Sequence, residues 1–122
     1  MWNKLSKKFM DERTQKYLYD VISAVEETLS YFEERPKVFE VFCADMMLRP
    51  AVERNIEIMG EAMNRLLKDN PTIPITNARK IVDARNYIIH GYDRLSADIL
   101  WSIVINHLPL LHDEVAQLLA SK

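Results

Sequence analysis

Apolar residues recur at helical spacing along most of the chain, and strand-like alternation is absent. From Asp11, which suits an N-cap, the pattern predicts a helix to about Glu34. Its apolar face carries Tyr17, Leu18, Val21, Ile22, Val25, Leu29 and Phe32, and Pro36 ends it. A short helix is expected over Lys37 to Ala44. Asp45 or Pro50 then opens a third helix reaching about Lys68, with Val52, Ile56, Met59, Met63, Leu66 and Leu67 facing inward. Gly60 falls in the middle of that helix, where glycine costs roughly 1 kcal/mol against alanine. Close approach by another helix is the expected reason. Pro71 and Pro74 mark a loop, and Thr76 or Asn77 caps a fourth helix whose buried stripe is Ala78, Ile81, Val82, Ile88 and Ile89. Ser96 or a neighbour starts the last helix, which Pro109 should kink or split.

The fold class is therefore all-α, an up-down bundle of about five helices, with residues 1–122 as one domain. Only 2 glycines and 5 prolines leave little room for the tight turns of a sheet protein. From Ile99 to Leu111 the last helix is apolar nearly all round, with Trp101, Ile103, Val104, Ile105, Leu108, Leu110 and Leu111. Such a helix is either central or covered by another chain. A domain this small does not comfortably hide all of it, which predicts a homodimer.

Hydrophobic residues at 48% and charged residues at 28% are an ordinary soluble balance. No apolar run approaches the ~18 residues of a membrane span. The first ten residues carry Lys4, Lys7 and Lys8 but no signal-peptide core, so a cytoplasmic protein is expected. Cys43, the single cysteine, has no disulfide partner and no companion for a zinc site; its neighbours suggest a small buried hydrophobe. The net charge of −2 argues against a generic nucleic-acid binder. Its distribution matters more. Met1 to Glu61 holds nine bases against twelve acids (−3), and Ala62 to Lys122 holds seven against six (+1). The basic surplus gathers around positions 65–94, where Arg79, Lys80 and Arg94 are candidate RNA contacts; Arg79 and Lys80 equally suit a solvated helix face.

The segment Arg85-Asn86-Tyr87-Ile88-Ile89-His90-Gly91-Tyr92-Asp93 carries the candidate chemistry. Arginine is charged at any physiological pH and its fork matches phosphate oxygens. Histidine changes protonation closest to neutrality. Together they supply the minimum for cleaving a phosphodiester without metal or cofactor. Gly91 follows at once and suits a helix exit through positive φ.

Arg-x4-His-x-Tyr on a helix of a small all-helical chain resembles the signature of the HEPN superfamily, and within it the HepT-like branch, DUF86. Ala51 to Ala62 resembles that branch's second block, Asn70-Pro71-Thr72-Ile73-Pro74 its loop, and Asp98 to Val104 with Leu108-Pro109 its closing helix. Ile75 stands where many relatives carry tryptophan, a packing position. The resemblance implies a ribonuclease with its site at a dimer interface. It also implies the toxin of a toxin–antitoxin pair whose antitoxin is a minimal nucleotidyltransferase, and Tyr92 as the residue that this partner modifies with AMP. Adenylate phosphates beside Arg85 would fill the anion site and exclude RNA.

Geometry shapes the roles. Arg85 and His90 stand about 140° apart on an ideal helix, whereas Asn86 and His90 share a stripe. Cleavage by 2′-hydroxyl attack needs one proton taken and another given. One chain offers one motif histidine; a two-fold dimer offers two. His90 is accordingly expected as general acid or base, Arg85 as stabiliser of phosphorane charge, and Asn86 as the group that holds the imidazole or a phosphate oxygen. The substrate would be RNA, tRNA or mRNA, and cleavage should weaken as salt rises. The plainer reading makes His90 a helix cap and pairs Arg85 with Asp83 or Asp93. A reading from another class is a non-catalytic helical module that docks on the nucleotidyltransferase. Glu53, Glu57 and Glu61 recur on one helix face and suit ion pairs to Arg49, Arg54 or Arg65, while the block that resembles the HepT-like branch implies that Glu61 could support the site. His107 and His112 read as ordinary helix residues.

Overall fold

The computed structural model describes residues 11–90 and 96–121. Among them are α1 (Glu12–Ser30), α2 (Phe39–Ala44), α3 (Leu48–Asp69), α4 (Ala78–Ile89), α5 (Ala97–Ser102) and α6 (Leu108–Ala120). A π-helical turn, Ile103–His107, joins α5 to α6, so the two run as one interrupted rod and the bundle has five helical pieces. No helix of the described residues is long and apolar enough to cross a membrane.

Local chemistry sets the helix ends. Asp11 caps α1, its Oδ1 accepting from the Thr14 N–H at 2.8 Å. That bond to the charged form is the main reason its carboxyl titrates below the usual range. The helix stops at Ser30, earlier than the predicted Glu34. Tyr31, Phe32 and Glu33 donate to Thr28, Leu29 and Ser30, a tightening to three-residue turns before Pro36 restricts the backbone. Asp45 opens α3 by accepting from the Met47 and Leu48 N–H groups at 3.0 and 2.9 Å, and Pro50 occupies the first turn, where no donor is needed.

The predicted break at Pro109 takes a specific form. Proline has no N–H, and its ring collides with the carbonyl four residues back in an α-helix. The chain widens just before it, so that the Leu108 N–H reaches back to the Ile103 carbonyl.

Helix α3 packs against both α1 and α4, while α1 also meets α6 and α2 rests on α5. Leu18, Val21 and Val25 of α1, Ile56, Met59 and Met63 of α3, Ile81 of α4, and Leu100, Leu108 and Leu111 of the last rod close one core. Trp101 gathers Phe32, Phe39 and Phe42 at ring distances of 5.9, 6.1 and 5.4 Å. This cluster lets a six-residue helix hold its place, since α2 has little else to bury.

Two expectations are corrected. Ile89 is 44% exposed rather than buried, because the inward face of α4 is Ala78, Ile81, Val82 and Ala84, and Ile89 continues the stripe of Arg85. Cys43 is half-buried, not enclosed. Ile99 and Leu110 stay exposed on the last rod, so one chain does not hide all of its apolar surface.

Candidate active site

The site begins where α3 and α4 cross. Gly60 carries no side chain, and a Cβ built there would overlap Arg85 Cβ, lie 2.8 Å from Arg85 Cγ and 3.2 Å from the Ile81 carbonyl oxygen. Glycine at this position is what lets the α4 backbone approach. The close approach predicted at Gly60 is thus met, and the group it admits is the stem of the motif arginine.

Once past Gly60, the Arg85 guanidinium is gripped from two sides. Nη2 donates to Glu61 Oε2 at 2.5 Å, and Nη1 donates to Asn86 Oδ1 at 2.9 Å. The same Glu61 carboxylate takes Arg65 Nε on its other oxygen at 3.1 Å. One carboxylate therefore bridges two guanidiniums, and these three groups together carry one positive charge. Hydrogen bonding to Glu61, and next to Tyr17, raises the Arg65 proton affinity above its ordinary value.

These residues wall an open groove of about 560 Å³, which crosses α3 from Arg85 and Ile89 to Lys16 and Tyr17 of α1, with Glu57, Ile58 and Arg65 between. Lys16 is paired with Asp20 at 2.9 Å and lies 5.9 Å from the Tyr17 ring centre.

His90 closes α4 as its C-cap residue, in helical conformation, with its backbone N–H donating to the Asn86 carbonyl at 3.1 Å. Its side chain is exposed. Arg85 and Asn86 are brought together directly. Asn86 spends its oxygen on the guanidinium, an orienting contact to Arg85. Arg79 and Lys80 are exposed on the first turn of α4, about 15 Å along the helix from His90. Tyr92 and Arg94 lie outside the described residues, as does the expected helix exit at Gly91.

Among the described residues Arg85 pairs not with Asp83 but with Glu61 on another helix, while Asp93 lies outside them. The sequence offers Glu61 as an ion-pair partner of Arg49, Arg54 or Arg65, and of these the pair with Arg65 is present. Its second hold, on Arg85, spans α3 to α4 and has no local signal. His112 meets Glu26 at 2.9 Å, a contact that joins α6 to α1 away from the groove.

The last turn and a half of α4 thus carries both a held guanidinium and an exposed imidazole, a pair of groups that suits an anionic ester. Comparison with known proteins bears on the same residues. The family model "Ribonuclease HepT-like" matches residues 21–118, a span that holds Gly60, Glu61, Arg85, His90 and Tyr92. The chain belongs to the HepT-like ribonuclease family. Two proteins of Methanocaldococcus jannaschii with provisional RNase names are similar to it. One is 29% identical over 76% of each chain, and the other 30% identical over 87% of this chain and 97% of its own. A Thermococcus cleftensis protein provisionally named ribonuclease HepT is 30% identical over 89% of this chain and 98% of its own. No solved structure matches the chain significantly. The HepT-like resemblance of the Arg-x4-His-x-Tyr motif and the all-helical fold thus agree with the family assignment.

Proposed function

We propose that this HepT-like chain is an endoribonuclease that cuts RNA with Arg85 and His90, without a metal or cofactor, as a two-fold dimer. The observation that carries the reading is the immobilised Arg85 guanidinium, held by Glu61 and Asn86 one helical turn from exposed His90. A guanidinium fixed in advance needs no reorganisation as charge builds on the phosphate oxygens, which is the condition for electrostatic stabilisation of a transition state.

In the reaction, the imidazole of one copy takes the proton from a ribose 2′-hydroxyl as that oxygen forms a bond to phosphorus. The imidazole of the second copy gives a proton to the departing 5′-oxygen as its bond to phosphorus breaks. A 2′,3′-cyclic phosphate and a 5′-hydroxyl result. Two copies supply the two proton carriers, and the exposed Ile89 and Ile58 beside the site offer apolar surface for the second copy to cover.

The biological role proposed is that of a toxin held in check by a minimal nucleotidyltransferase. AMP on Tyr92 would bring phosphate next to Arg85 and occupy the anion site that RNA needs. Arg79, Lys80 and Arg94 are proposed to hold the flanking RNA backbone.

Parent protein, His90→Ala and Arg85→Ala incubated with total tRNA in EDTA test the reading. Fragments from the parent alone are expected. A His90→Ala variant cutting as fast as the parent would refute it, and intact tRNA with the parent would favour the docking-module reading. Intact-mass measurement after incubation with the partner and ATP tests the switch; an adduct mapped away from Tyr92 defeats it.

A further inference from the structure

Glu61 is an acid at the edge of a site meant for a polyanion, and that needs a reason. A carboxylate there repels the substrate, so a site shaped only for RNA affinity would lack it. Three observations explain its presence. Its Oε2 reaches Nη2 of Arg85 while Asn86 takes Nη1, so the planar fork is clamped at two corners by acceptors from two helices. The Arg85 stem lies directly against Gly60, and the side chain is 21% exposed against 56% for Arg65. The remaining oxygen of Glu61 is occupied by Arg65, which offsets the charge that would otherwise oppose RNA.

We propose that Glu61 is a positioning residue of the nuclease site: it holds the Arg85 fork in the orientation the transition state uses, with Arg65 as its counterion. The proposal rests on the ribonuclease reading above. Its signature follows from the two opposed effects of one carboxylate. Removing Glu61 lets Arg85 swing, which lowers kcat. It also removes a negative charge near the phosphate path, which leaves KM unchanged or lower. A brace that only joined α3 to α4 would lower stability and leave kcat alone.

Reach and charge are separable. Glu61→Gln keeps the length and an accepting oxygen but loses the charge. Glu61→Asp keeps the charge but falls a methylene short of spanning both arginines. The test compares these with Glu61→Ala, His90→Ala and Glu114→Ala, measuring kcat and KM on a tRNA substrate and melting temperature for each. Glu114→Ala loosens the start of α4 away from the groove, so it reports what general loosening does. Expected is a kcat order of parent, then Gln, then Asp and Ala together, with the last two down about a hundredfold. KM should hold or fall, and Glu114→Ala should keep kcat within about threefold, far short of the loss that a misplaced reacting group gives. Glu61→Asp at parental kcat, or Glu114→Ala matching the loss at Glu61, overturns the proposal. If Glu61→Ala does not fold, the Gln and Asp pair decides alone. An active His90→Ala removes the ribonuclease reading and this proposal with it, whereas an inactive His90→Ala beside a fully active Glu61→Asp removes only the proposal.

Discussion

Gly60 and Arg85 meet at the crossing of α3 and α4 with no space for even a methyl group between them. Substitution at either residue is therefore felt by the other. Gly60→Ala gains about 1 kcal/mol of helix propensity but adds overpacking of about 1–3 kcal/mol, so a net loss of about 1 kcal/mol is expected. Activity should suffer more, by about a hundredfold, since the displaced stem carries the guanidinium with it. Urea denaturation and tRNA cleavage on the same sample check both. A stable, fully active Gly60→Ala would show that Arg85 can relocate without cost.

Arg85→Lys separates charge from shape. Lysine retains the stem against Gly60 and one positive charge, but its ammonium is a point and cannot serve Glu61 and Asn86 as a fork does. Cleavage should drop by about 10²–10³, as when a transition-state donor is lost. Retention of activity within a few-fold would mean that charge alone suffices.

The start of α4 is held from across the bundle. Glu114 on α6 accepts from the Thr76 N–H at 3.1 Å and from its hydroxyl at 2.6 Å. Glu114→Ala should cost about 1–2 kcal/mol, the scale of a charge-assisted hydrogen bond discounted for solvent access. Thr76→Ala, which keeps the N–H contact, should cost less. Denaturation midpoints of the two variants test that order.

Burial lowers the proton affinity of His107, and the Lys80 charge acts in the same direction. A histidine whose folded pKa lies below its unfolded value near 6.5 gives stability that is complete above about pH 6.5. That stability is lost as pH falls toward and through the folded value. The parent should thus lose more melting temperature between pH 7.5 and pH 5 than His107→Gln does. Equal losses would show that His107 is not the group responsible.

Much of this was legible because it is local. The caps at Asp11 and Asp45, the spacing of Arg85 and His90 along one helix, and the demand of Gly60 for a close neighbour all depend on residues within a turn or two. The pairing of Arg85 with Glu61 was not legible in that way. Helical phase tells which face a residue occupies but not which helix comes to meet it, and the nearer acids Asp83 and Asp93 were the local candidates. Ile89 reads as a core residue in sequence for a related reason. The period of α4 continues past the point where α3 stops covering it, and the residue beyond that point faces the groove. At Pro109 the sequence announces a fault in the helix, while the π turn that absorbs it depends on how Ile103 and Leu108 are seated in the core.

Because the motif arginine takes its station from a gap in the neighbouring helix, it has no station at all until both helices have docked. A chain still being made, or one that has opened, holds every residue of the motif and yet leaves the guanidinium unplaced. Any activity that needs a placed Arg85 is then absent before assembly, a restraint that belongs to the fold itself.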